Sequence, residues 1–415
     1  MINKDIYDKV VQKFRDHYGR PHSVAAYAPG RVEVLGNHTD YNEGFVLSAA
    51  INFGTFFLTA PSDNSICRLV AGDIMEEVTF DVLSPSPSMD NIWSNYVKGV
   101  FAKLREHGKI KSGFLGLFLG NIPLGAGLSS SAALEMATGL ALCSLYNIQL
   151  DKLELAKIGQ AAEHEYVGAR CGLLDQISSL FGRENELVMS DFRSLQTQNV
   201  PFGSDTLGAD ATLRSLRRSR TGRSTRASAK AACFLMCNTS VKHSLVDSEY
   251  NERRQKCEEA AMFFSSVLDH PVSALRDVNW AEWKQYSPKM DLTTARRAAH
   301  IIGENMRVLK GRSLLTKGKL KDFGKLMFES HRSSQSNFEN SCSELDFLVD
   351  TASKIPGVLG ARLSGGGFGG STVVLVDPHD VEVVSKALAS TYEKEFGCSC
   401  EIRVIIPSSG ARIIN

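Results

Sequence analysis

The chain has 415 residues, of which 43% are hydrophobic and 22% charged, and 47 lysines and arginines against 46 aspartates and glutamates leave a net charge of +1. That length exceeds one ordinary core and indicates two domains, while the near-neutral balance gives no ground for a nucleic-acid partner. No run approaches the roughly 18 apolar residues needed to cross a bilayer, and nine scattered cysteines fit reduced thiols; the expectation is a cytoplasmic monomer with no membrane partner.

Apolar residues at Ile6, Val10 and Phe14, with Gly19 after them, predict an opening helix. Residues 24–82 then alternate β-rich runs with turn signals, as in 24–28, 45–51 and 53–60. Helical periodicity follows at 93–107, 130–146 and 152–168, the last opened by Asp151 as N-cap, with a strand at 114–120 between. A composition break comes at 206–230, where seven basic residues stand against the single acidic Asp210. We read it as a flexible insertion separating a first domain, 1–205, from a second, 231–415; a solvated loop is preferred to a polyanion-binding arm. Beyond it lie a buried strand at 231–237, helices near 249–266, 294–309, 318–335 and 343–354, strands at 358–364 and 371–376, a helix near 379–394 and a strand at 401–406. Interleaved sheet and helix make the fold α+β or α/β.

Three constellations carry chemistry. In PLGAGLSSSAALE (123–135), Gly125 and Gly127 allow close backbone approach to an anion, and Ser129, Ser130 and Ser131 open a helix whose free N–H groups favour phosphate. The lysine of a Walker loop is absent, and a turn that merely caps the helix with Ser129 is an open alternative. In SGGGFGG (364–370), glycines 365, 367 and 370 match a dinucleotide fingerprint, but a strand follows where a helix is required, which excludes a nicotinamide-dependent oxidoreductase. A structural turn and a ligand contact both remain open there. In APGRVEVLGNHTDYNEG (28–44), Arg31, Glu33, Asn37, His38, Asp40 and Asn42 crowd into twelve positions. That density suits a polyhydroxylated ligand, although a polar loop with an Asx turn would read the same.

Taken in order, GRVEVLGNHTDYNEGFVLSAAI (30–51), PLGAGLSSSAALE (123–135) and GGGFGG (365–370) resemble the three motifs of the GHMP kinases. The first motif, with AEHEYVGARCGLLDQ (162–176) and CNTSVKHSLVDSEYNERRQKCEEA (237–260), resembles the galactokinase family in particular. The resemblance runs from about residue 20 onward, with 206–230 outside it. It implies an α+β, two-domain fold: an N-terminal mixed sheet with helices, a C-terminal antiparallel sheet backed by helices, and an active site in the cleft between. The implied activity is ATP-dependent phosphorylation of the anomeric hydroxyl of galactose or a related hexose, with Mg2+; a kinase for another sugar, or a non-catalytic sugar sensor of the same fold, is the alternative.

By resemblance, Asp175 accepts the proton of the attacking hydroxyl and Arg31 steadies developing charge; phosphoryl transfer asks mainly for positioning and charge neutralisation. Ser131 and Glu163 match magnesium ligands, Gly125, Ala126, Gly127, Leu128, Ser129, Ser130 and Ser131 a phosphate loop, and Trp93 an adenine-packing position. His38, Asp40, Gly172 and Tyr250 match sugar contacts, with Gly366 and Gly367 lining the same cleft. Galactokinases usually read Asn at the position of Glu33 and Glu at that of Asn37. Here the two types are exchanged, so the sugar hydroxyl that meets Asn37 is expected to be presented differently. Arg170 stands where proline is common.

Overall fold

A computed structural model describes residues 3–108, 110–123, 125–169, 171–203, 232–242 and 246–414, the side chains of 242 and 246–248 excepted. The basic segment 206–230 and Arg170 lie outside the described residues.

Helix α1 (Lys4–Tyr18) buries Val10 and Phe14 and stops at Gly19, whose φ of 66° is the left-handed turn of a helix end. Strands β1 (Val24–Leu35), β2 (Phe45–Pro61), β3 (Ile66–Ala71), β4 (Glu76–Asp81), β5 (Phe114–Gly120), β6 (Glu186–Asp191), β7 (Gln196–Pro201) and, near the end of the chain, β12 (Arg412–Ile414) form one sheet ordered β12-β1-β2-β5-β3-β4, with β6 and β7 built off β2. It is mixed, because β3 and β5 run parallel. Helices α2 (Trp93–His107), α3 (Ser130–Tyr146), α4 (Lys152–Ala162) and α5 (Leu174–Phe181) close one face around Phe57, Phe101, Phe114 and Met136. Helix α1 covers the other.

A second, antiparallel sheet orders β11 (Glu401–Ile405), β8 (Cys233–Lys242), β10 (Gly369–Val376) and β9 (Val358–Ser364). Behind it lie α10 (Ser343–Ala352) and α11 (Val381–Phe396). Helices α6 (Val246–Val267), α7 (Trp280–Tyr286) and α8 (Leu292–Thr316) form a further layer, and α9 (Leu320–Ser333) runs beside β9. The two sheets share a core: Val32, Leu35 and Leu47 of the first pack with Phe234, Met236 and Val373 of the second and with Val308 and Phe323. The cleft between the sheets therefore rests on continuous packing.

Several expectations change in detail. The runs 45–51 and 53–60 are one strand of 17 residues, β2. Gly54, which suggests a break, instead lets two strands close up, since a Cβ there would lie 2.5 Å from the Ala28 carbonyl oxygen. The helix expected over 152–168 is α-helical to Ala162 and then widens into a π-turn, Glu163–Val167. The helix expected over 318–335 does the same at Ser334–Phe338. Such turns admit an extra residue and re-aim side chains, commonly at functional sites. The terminal strand β12 pairs with β1, so residues 412–414 belong to the first sheet although they follow the second.

Candidate active site

Arg31 and Glu33, two apart on β1, share one face of the strand. The Arg31 Nε donates to Asp175 Oδ1 at 2.7 Å, its Nη1 to the Gly127 carbonyl at 2.6 Å, and its backbone N–H to the Leu128 carbonyl at 3.0 Å. Asp175 lies in the first turn of α5, where helix amides favour a carboxylate. Its side chain is 27% exposed against 9% for Arg31, so the carboxylate is the accessible member of the pair. Its Oδ2 also accepts from the Ser129 hydroxyl. Ser129 therefore serves Asp175 and makes no side-chain cap for α3.

The loop before α3 is built to present amides. Carbonyls of Ala126, Gly127 and Leu128 accept from Ser371, Arg31 and the Arg31 backbone, all within the protein. In trans peptides the following N–H groups point the opposite way, and left-handed φ at Gly125, Gly127 and Ser129 (71°, 68° and 57°) alternates as in an anion nest. Ala126 and Leu128 bury their side chains, so only their backbone can meet a ligand. Gly30 makes this docking possible: a Cβ there would sit 2.4 Å from the Leu128 carbonyl oxygen.

Two cavities lie beside these residues. One, about 400 Å³, is an apolar slot between Trp93, Tyr96, Phe118 and Leu134 that opens at Ser130 and Ser131. Trp93 packs on Phe118 with ring centroids 5.6 Å apart, and its indole N–H reaches Glu76. The other, about 500 Å³, is polar and reaches from Arg31 and Asp175 to Asp40, Tyr250 and Gly366. A planar ring fits the first and a polyhydroxylated molecule the second.

Glu163, on its π-turn, accepts from Cys171 Sγ at 2.6 Å and from Gln176 Nε2 at 3.4 Å, and the Ser131 hydroxyl is close enough to act on its carboxyl. Burial first, then the Asp175 charge, pushes its carboxyl up. Beneath it, fully buried Glu135 is also pushed up by burial, and its Oε1 has no partner among the described residues. Three carboxylates thus gather near one guanidinium, Arg31. A divalent cation at Ser131 and Glu163 fits that excess of acid.

On the polar side, His38 is fully buried in the neutral form, because burial pulls its pKa down to about 4. Its Nε2 therefore donates to the Gly366 carbonyl at 3.0 Å while Nδ1 accepts from the Tyr41 hydroxyl at 2.8 Å. Both ring nitrogens are engaged by protein, so His38 shapes the cavity and holds the glycine loop. Gly365 and Gly366 line the cavity; Gly367 packs behind it on Asn340. Tyr250 closes the wall against His38 and Tyr41, with centroids 5.1 and 5.6 Å away, and Gly172 backs onto Asp40.

Asn37 departs from expectation most. Its Nδ2 donates to Glu33 Oε1 at 2.9 Å and to the Gly365 carbonyl at 2.8 Å, and its Oδ1 accepts from Asn340 Nδ2 at 2.9 Å and, at the long limit of 3.5 Å, from Ser334. With its amide spent on protein, it has no group left for a ligand.

Burial, with the Glu33 and Asp175 charges adding to it, raises the Asp40 carboxyl to about 7. The folded state then binds this proton more tightly than the unfolded chain, so the stability it contributes is present below pH ~4 and lost as pH rises to about 7. Asp40→Asn is expected to melt above the wild type at pH 8 and level with it near pH 4. Equal melting temperatures at both pH values would contradict this.

Residues invisible to sequence reasoning complete the site. The buried Glu304 accepts the Gly36 and Asn37 backbone N–H groups at 2.8 and 2.9 Å and Arg307 Nε at 2.5 Å. Fully buried Arg362 donates to Glu33 Oε1 at 2.9 Å. Each stands on an ordinary helix or strand, outside the glycine-rich and polar motifs, and carries no local signature.

The chain is similar to known proteins along most of its length. The galactokinase galactose-binding signature matches residues 12–61, the GHMP kinases N terminal domain 95–183 and the GHMP kinases C terminal domain 312–394. Galactokinase of Haemophilus influenzae (strain PittEE) is 39% identical over 406 residues, covering 96% of this chain and 97% of that protein. Galactokinase of Pasteurella multocida (strain Pm70) is 37% identical over 406 residues, with the same coverage of 96% and 97%. The structure of Lactococcus lactis galactokinase complexed with galactose superposes with a TM-score of 0.87 at 31% identity, over 98% of this chain and 99% of that one. A mevalonate kinase shares the fold, with a TM-score of 0.59 at 18% identity over 93% and 100% of the two chains.

Proposed function

The chain belongs to the galactokinase family of GHMP kinases and is an ATP-dependent galactose kinase; on that premise we propose that Asp175 and Arg31 carry transfer of the terminal phosphoryl group to the anomeric hydroxyl of the sugar. The supporting observation is the Arg31–Asp175 pair in the wall of the polar cavity, tied to the phosphate loop through Gly127 and Ser129.

In this reading the sugar occupies the polar cavity with its anomeric hydroxyl at Asp175, and the nucleotide places its base in the slot at Trp93 and its phosphates on the amides of residues 127–131. Asp175 orients the hydroxyl and accepts its proton late in transfer, a sequence that needs no strong base. Arg31 neutralises charge on the phosphoryl oxygens while holding Asp175 in place. Asp40 accepts from a sugar hydroxyl, and Tyr250 covers the ring. Ser131 and Glu163 would hold Mg2+, which neutralises the nucleotide phosphates. We further propose a cytoplasmic monomer; among the described residues no helix is long and apolar enough to cross a membrane.

An ADP-release assay over a panel of hexoses tests the acceptor. Galactose should give the highest kcat/KM, with galactose 1-phosphate as product by 31P NMR; preference for another hexose, or no sugar-dependent ADP, would refute it.

A further inference from the structure

We propose that Glu33 is the carboxylate that selects a sugar hydroxyl in this chain, and that Asn37 is a positioning residue that holds it. The inference rests on the galactose-kinase reading.

Four observations carry it. First, Glu33 lines the polar cavity and is 3% exposed. Second, its described side-chain hydrogen bonds all converge on one oxygen: Oε1 accepts from Asn37 Nδ2 and from Arg362 Nη1, both at 2.9 Å. Among the described residues no donor serves Oε2, so one face of a fixed carboxylate is left to accept. Third, Asn37 is 1% exposed and its side-chain amide is engaged on both its nitrogen and its oxygen. It therefore acts through what it holds, the Glu33 carboxylate and the Gly365 carbonyl. Fourth, Arg362 is fully buried, Glu33 is its ion-pair partner, and its Nε and Nη2 have no partner among the described residues. Deleting the Glu33 charge would leave a buried guanidinium unpaired, which is strongly unfavourable.

Residues 33 and 37 are thus one unit of one carboxylate and one amide, neutralised together with Arg362. The exchange of types between the two positions is a compensated pair and leaves the site's charge unchanged. A glutamate at 37, one methylene longer than asparagine, can reach the place that Glu33 Oε1 fills, and an asparagine at 33 can supply the lost amide. Either change alone breaks the unit: Glu33→Asn removes the only carboxylate, and Asn37→Glu sets two carboxylates side by side against one arginine.

The test has two arms, each with ATP affinity measured by calorimetry as the control for folding. In the first, Glu33→Asn and Asn37→Glu should each lower kcat/KM for galactose about 100-fold or more, with most of the change in the galactose KM and little in the ATP affinity. The double variant Glu33→Asn/Asn37→Glu should recover to within about 10-fold of wild type. Losses that multiply in the double variant would overturn the proposal, and if a single variant fails to fold, recovery or failure of the double variant still decides. In the second, 2-, 3-, 4- and 6-deoxygalactose are compared in wild type and Glu33→Gln. At one position the wild-type penalty, about 100-fold, should shrink to a few-fold in Glu33→Gln while the other three stay as they were. Unchanged penalties at all four positions would overturn the role of Glu33 while leaving galactose turnover by the wild type intact. A wild type that does not turn over galactose overturns the functional reading and this inference with it.

Discussion

Alanine at Asp175 is expected to lower kcat about 10³- to 10⁴-fold while ATP affinity stays within a few-fold of wild type. A positioned general base contributes about 10² to 10⁴, and this substitution also removes the partner that fixes two other groups. Arg31 Nε would lose its acceptor at 2.7 Å and the Ser129 hydroxyl its carboxylate, so the arginine proposed to neutralise the phosphoryl group would lose its orientation as well. The nucleotide side is expected to change less, because Asp175 does not line the slot at Trp93 and the Ala126 carbonyl of the loop keeps its donor in Ser371. Single-turnover quench with calorimetric ATP binding separates the two effects. A variant retaining more than a tenth of wild-type kcat would remove Asp175 from the proton-accepting role.

The largest structural effect is expected at Glu304. Glu304→Ala strips the acceptor from the Gly36 and Asn37 backbone N–H groups and leaves Arg307 without the carboxylate it meets at 2.5 Å. Breaking a buried pair from one side costs about 3–5 kcal/mol, readable as a fall in the urea midpoint. Burial alone would push this carboxyl up, but Arg307, His300 and Arg362 outweigh it and hold it well below the usual range. A depressed acid contributes stability above the unfolded pKa, about 4.3, and loses it as pH falls. The gap between wild type and Glu304→Ala should therefore be full at neutral pH and narrow in acid. Because residues 36–40 hang from this carboxylate, a surviving fraction should show a raised galactose KM with an unaltered ATP KM. A midpoint shift worth less than about 1 kcal/mol would show that water or another donor replaces the carboxylate at no cost.

Much of the molecule is legible in the order of its residues. Length marks α2 and α3 to the residue: 93–107 carries an amphipathic pattern over several turns, and 130–146 is a long run of alanine, leucine and other small or apolar residues, buried nearly all round. Helix α5 has only eight residues, too few turns to stand out, although it carries Asp175. Strands β6 and β7 are likewise lost in a stretch of mixed polarity, and β12 has only three residues. Among site residues, those borne on glycine-rich or polar motifs are the readable ones. Ser129 shows the limit of local rules: a hydroxyl placed to cap a helix goes instead to a carboxylate 46 positions away, since a tertiary acceptor outcompetes a weak local one. Asn37 shows another limit. Its unusual identity is visible, but that it touches Glu33, four positions back across an irregularity in β1, and Asn340 far along the chain, follows only from the fold.

The pairing of β12 with β1 has a consequence for how the chain comes off the ribosome. Ala25, Ala26 and Tyr27 find partners at Ile414, Ile413 and Arg412, and Arg412 sits over the Tyr27 ring at 5.2 Å. Contacts of such sequence separation form late, so throughout synthesis the strand that carries Arg31 waits with an open edge, the kind of surface that invites pairing with a neighbouring chain. Nascent copies crowded on one message are most at risk at that edge, and the interval closes only when residues 412–414 emerge.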